Sequence, residues 1–219
     1  MIQNFKEVLE ILDKTGGNKY VVLIGSWAEY LYEECNVISG FISNIKTKDI
    51  DFLIENINKP RNEIDIIKAF REHNFEIEMA ANEIYRIIKG DFEVEFLAAM
   101  IGGVYSYIKV PAFKLPHVEA LTHIDMLLID PVEINYSDIE IRVPNPYIYI
   151  LHKMVINKRR KEKKEKDARA IANLLIHLDN IADEDRLMYY YNKLSKKEKR
   201  LIVEYVTDNN LVGYFPRLK

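Results

Sequence analysis

The sequence predicts an α/β (α+β) fold, in which a mixed sheet flanked by helices is followed by a helical C-terminal region. Up to residue 143, short apolar runs rich in β-branched residues alternate with stretches of helical spacing. Pro144 and Pro146 end this part, and the segments after them are helical in pattern. The balance of charged residues changes near the same point, which indicates two regions of different character.

The charge of the whole chain is close to neutral, but it is unevenly distributed. A net charge of −3 over 219 residues excludes a basic histone-like binder, an acidic tail protein and a disordered chain. Residues 1–150 carry 24 acids and 14 bases, whereas residues 151–219 carry 10 acids and 17 bases. We therefore expect two domains with different electrostatic roles, covering residues 1–143 and 144–219.

The elements of the first region follow from their periodicity. Apolar residues at helical spacing and short β-branched runs predict, in chain order, a helix at 2–14, a strand at 20–24, a helix at 27–34, a strand at 49–54, a helix at 61–71 and strands at 75–79, 84–88, 92–97, 104–110, 126–129 and 139–143. Gly16-Gly17 ends the first helix, and Lys89-Gly90-Asp91 predicts a hairpin. Residues 35–47 contain glycine, serine and asparagine and are predicted to be a loop.

The second region is predicted to consist of helices. Helical spacing with short breaks predicts helices at 147–159, 165–178, 184–193 and 196–206. The segment from Lys158 to Lys166 holds seven bases and two acids. Such a run fits either contacts to nucleic-acid phosphates or a solvated helix end.

Acidic residues on two predicted strands form the most informative pattern. Asp49 and Asp51 are two positions apart, so both carboxylates project from one face, roughly 6–7 Å apart along the strand. Glu93 and Glu95 repeat this spacing on a second strand. A single pair of this kind is usually a solvated strand face, but carboxylates that converge repel one another unless cations lie between them. Oxygen-rich sites of this type suit Mg²⁺, and two such ions can assist an in-line phosphoryl displacement.

A glycine-serine pair precedes these strands. Gly25-Ser26 lies between a predicted strand and a predicted helix. A backbone without a Cβ atom, next to the free N–H groups of a helix N-terminus, can approach a phosphate closely. The order of the motifs along the chain, with Gly-Ser first and the two acidic strands after it, favours phosphate chemistry over separate solvated faces.

The three motifs together resemble those of a known superfamily. Val22–Ser26, Thr47–Leu53 and Val94–Leu97 are similar to the motifs of the DNA polymerase β-type nucleotidyltransferases, which transfer a nucleoside monophosphate from an NTP to an acceptor hydroxyl. The resemblance implies a nucleotidyltransferase-type sheet and a Mg²⁺-dependent enzyme. The acceptor class stays open between RNA, protein and a small molecule.

The resemblance also implies a role for individual residues. Gly25 and Ser26 would hold the triphosphate, Asp49 and Asp51 would bind two Mg²⁺ ions, and Glu95 would be the third acid and the base toward the acceptor. Two features depart from the usual pattern of the superfamily. The 22 residues between Ser26 and Asp49 are more than is common, so an insertion is expected to loop out around residues 35–46, and the third acid is a glutamate instead of the commoner aspartate.

The C-terminal region is similar to one branch of the superfamily. Val143–Pro146, Leu151–Lys153, Lys158–Arg160 and Lys166-Asp167 resemble motifs of stand-alone bacterial and archaeal nucleotidyltransferase-like proteins, including relatives of toxin–antitoxin transferases. Lys153 and Arg160 lie at helical spacing on one face of a predicted helix. This face is a candidate for contacts to the nucleotide phosphates, and a solvated basic face explains the pattern equally well. For Asp167, a salt-bridged helix start is the simpler interpretation.

Other functional classes remain open or are excluded. The main alternative to an enzyme is a non-catalytic regulator or toxin–antitoxin component of the same fold that binds protein or RNA, and a small nucleic-acid binder is a third possibility. Cys35 is the single cysteine, so an intrachain disulfide and a cysteine-based zinc cluster are excluded. Without a long apolar run or a signal-like N-terminus, no membrane span is expected and a cytoplasmic location is predicted. The oligomeric state is not predicted.

Overall fold

The computed structural model describes residues 1–43, 47–80, 84–100, 102, 106–159, 163–178 and 181–215. The helices of this part are α1 (Ile2–Thr15), α2 (Ser26–Glu34), α3 (Ile66–Glu72), α4 (Pro146–Asn157), α5 (Lys164–His177), α6 (Ile181–Lys193) and α7 (Lys196–Asp208). The strands are β1 (Val21–Ile24), β2 (Asp49–Ile54), β3 (Glu76–Met79), β4 (Tyr85–Lys89), β5 (Phe92–Ala99), β6 (Tyr107–Val110), β7 (Leu115–Leu121), β8 (Val132–Tyr136) and β9 (Ile139–Val143). This mixed architecture confirms the predicted fold class.

Strand β5 is the centre of a mixed sheet. It pairs in parallel with β2 on one side, and on the other side it pairs with β4 along its first half and with β7 along its last residues. Antiparallel pairing adds β1 to β2, β3 to β4 and β6 to β7, and β8 and β9 form a separate hairpin. The predicted hairpin around Gly90 is confirmed as β4–β5.

One face of β2 and β5 is covered by helices. Phe92, Val94 and Phe96 alternate along β5 and are buried on this face. Trp27 of α2 lies 6.2 Å from the ring of Phe92, and Phe70 of α3 lies 6.4 Å from that of Phe96. Because side chains alternate along a strand, the acidic residues between these apolar ones point to the opposite face.

The predicted elements omit β7 and β8 and begin α6 at residue 184 instead of Ile181, and two further predictions differ from the structure for a physical reason. Helix α3 begins at Ile66 and not near residue 61, because the Asp65 side chain accepts a hydrogen bond from the Lys68 backbone N–H and caps the helix there. Residues 126–129 were predicted as a strand, but Ile124–Leu128 form a 3-10 helix. This prediction is wrong because a short, continuous apolar run has no periodicity that separates strand from helix.

The C-terminal helices are built around α4. Asn145 caps its N-terminus by accepting a hydrogen bond from the Tyr147 N–H, and Pro146 occupies the first turn, where its missing N–H costs nothing. Helix α4 is buried along most of its length by α5, α6, α7 and the 3-10 helix Ile124–Leu128. The division into domains 1–143 and 144–219 falls just before this helix and stays a prediction. Within the described part of the chain, every helix is too short or too polar to cross a bilayer.

Candidate active site

Two of the predicted acids are side by side in the sheet. The parallel register of β2 and β5 places Asp51 opposite Glu95 and Asp49 opposite Glu93. Adjacent strands are about 4.8 Å apart, so all four carboxylates share a small area of the polar face. Asp49 and Glu95 are exposed and Asp51 is half-buried. The pairing therefore brings together the three acids that the sequence singled out.

The Gly25-Ser26 turn lies directly against these acids. Strand β1 pairs with β2 so that Ile24 is opposite Asp51, and the next residue, Gly25, is the N-cap of α2. Gly25 has φ +72° and ψ −154°, a conformation open almost only to glycine. The turn places the N–H groups at the start of α2 beside the acidic face, which is the arrangement expected for a phosphate-binding turn.

Glu93 forms an ion pair with an arginine of the neighbouring strand β4. The Arg86 guanidinium donates from Nε to Glu93 Oε1 at 2.7 Å and from Nη2 to Oε2 at 2.9 Å. This bidentate pairing lowers the pKa of Glu93. The negative charge of Glu93 is thus compensated within the sheet, and Glu93 is a neighbour of the site.

Glu95 is electrostatically perturbed, although its side chain remains open to solvent. Partial desolvation and the negative charges of Asp51, Glu93, Asp49 and Glu119 raise the pKa of Glu95 to about 7. A carboxyl group with such a pKa gains and loses its proton near neutral pH, which is the property required of a general base. Glu119 of β7 contributes to this field and was not found by sequence reasoning, because its place beside β5 depends on a long-range strand pairing.

A buried cluster lies behind the Gly25 turn. The Lys153 Nζ atom lies 3.1 Å from Asp167 Oδ1 and 3.4 Å from Glu29 Oε1, and it sits 4.8 Å from the centre of the Tyr149 ring. The Tyr149 hydroxyl lies 2.7 Å from Glu29 Oε1 and 2.8 Å from the Gly25 carbonyl oxygen. Burial raises the pKa of Tyr149, so this hydroxyl is a proton donor to the oxygens around it. We call Glu29, Tyr149, Lys153 and Asp167 the buried cluster.

The sequence found this cluster only in part. Lys153 and Asp167 belong to a sequence motif, and the predicted salt bridge of Asp167 is formed, but with Lys153 on the preceding helix. Glu29 and Tyr149 carried no signal, because a single glutamate in α2 and one of 14 tyrosines are unremarkable in a sequence. Trp27, which follows Ser26 in the chain, is fully buried and stacks on Phe5, so it belongs to the core.

The acids and the turn face an open cleft between the sheet and the helices α4 and α5. One cavity of about 150 Å³ has polar walls that include Gly25, Ser26, Asp49, Asp51 and Glu95. A larger cavity of about 450 Å³ continues from it. The apolar walls of this larger cavity come from the strands, the 3-10 helix and α4, namely Leu97, Leu121, Ile124, Leu127 and Ile156.

The basic residues of the cleft come from α4 and the start of α5. Lys153 and Lys163 line both cavities, and Lys166 lines the smaller one. Arg159, which donates a hydrogen bond to Thr122 Oγ1 at 2.7 Å, lines the larger cavity. Arg160, the other predicted phosphate contact, lies outside the described residues. In the chain segments that the structure describes, no three His, Cys, Asp or Glu side chains are already grouped as a metal site.

Comparisons with known proteins identify the family of the chain. A family model described as "Nucleotidyltransferase" matches residues 3–194. Among curated proteins, none matches the chain. Two solved structures match most of the chain, and the first of them is similar to it in fold. An antigenic nucleotidyltransferase-like protein from Paracoccidioides brasiliensis is 14% identical, with 95% of this chain and 89% of that chain covered and a TM-score of 0.53. ANT(2″)-Ia in complex with adenylyl-2″-tobramycin is 9% identical, with 89% and 98% covered and a TM-score of 0.48.

Proposed function

Since the chain belongs to the nucleotidyltransferase family, we propose that it transfers a nucleoside monophosphate from an NTP to an acceptor hydroxyl with the help of Mg²⁺. The observation that carries this proposal is the convergence of Asp49, Asp51 and Glu95 on one cavity with the Gly25-Ser26 turn. In the reaction, the bond between the α-phosphorus and the bridging oxygen breaks, pyrophosphate leaves, and the acceptor oxygen forms the new bond.

The residues of the cavity fit divalent cations. Their donors are carboxylate oxygens, the ligands that Mg²⁺ prefers. Asp51 has the further property that the space beside its Oδ2 is kept open by the missing side chain of Gly25. Asp49, Asp51 and Glu95 would therefore hold the ions. When bound, Mg²⁺ offsets the negative charge that develops on the phosphate oxygens during displacement.

The chain's own groups have distinct tasks in this proposal. Glu95 accepts the proton of the acceptor hydroxyl, a role for which a pKa of about 7 is well placed. Gly25 and Ser26 position the β- and γ-phosphates through the N–H groups at the start of α2. Lys153 lines the cavity while pairing with Asp167 and Glu29, and it and Arg160 are proposed as further nucleotide contacts on the basis of their sequence motif.

The same arrangement favours an enzyme over a non-catalytic module of this fold. A regulator that binds protein or RNA does not need three carboxylates beside a phosphate-binding turn, and such groups repel one another without a cation. The relationship to toxin–antitoxin transferases stays a prediction. The acceptor class stays open between RNA, protein and a small molecule.

The test is nucleotide-dependent thermal stabilisation. Wild-type protein should gain several degrees in Tm with an NTP and Mg²⁺, since a ligand that binds only the folded state stabilises it. Asp51→Asn should abolish this gain. Asp91→Asn is the matched control, because Asp91 is an exposed acid of the β4–β5 turn that pairs with Lys48, away from the cleft.

A second experiment identifies the acceptor. Wild-type and Asp51→Asn protein are incubated with labelled NTPs, Mg²⁺ and cell extract, and the molecule labelled only by the wild type is isolated. If wild-type protein gains no stability with any NTP and labels nothing, the proposed function is wrong.

A further inference from the structure

Two lysines at the start of α5 face the acids across the smaller cavity. Lys163 is the N-cap residue of α5 and Lys166 lies in its first turn. Both side chains line the cavity that also contains Ser26, Asp49 and Asp51. They therefore lie opposite the phosphate-binding turn, on the other wall of the same cavity.

These lysines differ from Lys153 in their partners. The Lys153 ammonium is held by Asp167 and Glu29, so most of its charge is already compensated inside the protein. Within the described residues, neither Lys163 nor Lys166 forms an ion pair. Their charges are consequently available to a ligand.

The local field around Lys166 is positive. Partial burial and, after it, the like charge of Lys153 lower the pKa of Lys166; Lys163 lowers it further, while Glu29 and Asp167 oppose the shift. The N-terminus of α5 adds to this field, because no side chain caps it and its helix dipole is positive at this end. An anion entering this part of the cavity would relieve the repulsion between the lysines.

From this arrangement we infer that Lys163 and Lys166 bind the β- and γ-phosphates of the NTP and hold the pyrophosphate as it leaves. The inference rests on the proposed function. Ser26, Lys163 and Lys166 occur together in the smaller cavity, whereas the larger cavity, which Lys163 also lines, adds apolar walls suited to the base and ribose. The triphosphate end of the substrate is thus held between two helix starts, that of α2 on one wall and that of α5 on the other.

Binding measurements with three ligand classes test this assignment. Dissociation constants are measured by calorimetry in the presence of Mg²⁺ for each NTP, for pyrophosphate and for the matching nucleoside monophosphate. Lys166→Ala and Lys163→Ala should each weaken NTP and pyrophosphate binding by about ten- to a hundredfold, the usual value of a charge-assisted contact. Monophosphate binding should change by less than about twofold, and Lys166→Arg should restore most of the affinity.

Lys164→Ala is the matched control. Lys164 is exposed in the same turn of α5 but lines neither cavity. If wild-type protein binds an NTP and pyrophosphate while the Lys163 and Lys166 variants bind them as tightly as Lys164→Ala does, the inference is wrong and the proposed function stands. If wild-type protein binds no NTP at all, the proposed function fails and the inference fails with it.

Discussion

A Cβ atom at position 25 would lie 2.8 Å from Oδ2 of Asp51, closer than real Cβ contacts come. The same position has a backbone conformation that other residues rarely adopt. Gly25 is therefore required both for the shape of the turn and for the place of the carboxylate beside it. The proposed phosphate-binding turn and the proposed metal ligand are sterically coupled.

Gly25→Ala should weaken NTP binding in addition to lowering the free energy of unfolding. The added methyl group must displace the Asp51 carboxylate or shift the turn, so we expect the NTP-dependent gain in Tm to be lost. Gly16→Ala is the control: Gly16 also has a positive φ, of 71°, but a Cβ there meets no atom within 4 Å. It should lower stability by about 1–2 kcal/mol and leave NTP binding unchanged. Equal NTP binding by both variants would contradict the proposed coupling.

The raised pKa of Glu95 predicts that the difference in stability between the wild type and a Glu95→Gln variant changes with pH. The folded protein holds this proton up to about pH 7, whereas the ordinary value is 4.5. The stabilisation from protonated Glu95 is thus present below about pH 4.5 and is lost as the pH rises through 7. Glu95→Gln cannot lose a proton, so its Tm should match that of the metal-free wild type at pH 4.5 and exceed it increasingly up to pH 8.

The matched variant for this experiment is Glu93→Gln. Arg86 lowers the pKa of Glu93, so the contribution of that group is lost only as the pH falls below its ordinary value. Glu93 is also one of the charges that raise the pKa of Glu95, so between pH 4.5 and 8 the Tm difference between Glu93→Gln and the wild type should change with pH, but less than the difference for Glu95→Gln does. A Tm difference for Glu95→Gln that stays constant over this range would show that the Glu95 pKa is not raised.

The buried cluster predicts a large effect on stability from a single helix residue. Asp167 is only 2% exposed and pairs with Lys153. Asp167→Ala leaves a buried ammonium with Glu29 as its remaining acidic partner, which should lower the free energy of unfolding by about 3–5 kcal/mol. Glu204→Ala, which breaks the exposed pair with Lys158, should cost less than about 1 kcal/mol. Chemical denaturation compares the two, and similar losses would argue against the importance of the cluster.

The sequence predicted the parts of the site that depend on local spacing. Alternation along a strand is a property of neighbouring residues, so Asp49 and Asp51, and likewise Glu93 and Glu95, were correctly assigned to one face each. That Asp51 lies beside Glu95 depends on the pairing of β2 with β5, and strand pairing over such a distance leaves no local mark. The superfamily resemblance supplied this relationship where the pattern alone did not.

The partners of charged residues were the least predictable feature. Lys153 and Lys166 are both lysines of one basic region, yet one is buried against Asp167 and Glu29 and the other faces the cleft. A sequence motif marks both and does not distinguish them, because burial is decided by how α4 and α5 pack. The strand predicted at residues 126–129 is wrong for a different reason, since a continuous apolar run lacks the periodicity that separates strand from helix.

Tyr149 offers a test of whether the buried cluster positions the Gly25 turn. Its hydroxyl reaches both the Gly25 carbonyl oxygen and Glu29, so Tyr149→Phe removes the link between the turn and the cluster. We expect a loss of about 1–3 kcal/mol in the free energy of unfolding and, in addition, weaker NTP binding because the turn is less well held.

Tyr32→Phe is the control for this variant. Tyr32 is equally buried and packs against the Tyr149 ring, and its hydroxyl donates to the Pro144 carbonyl oxygen at 2.7 Å. Tyr32→Phe should lower the free energy of unfolding by a similar amount and leave the NTP affinity unchanged. The affinity is measured by calorimetry below the Tm of both variants. If both variants bind NTP as the wild type does, Tyr149 serves packing alone.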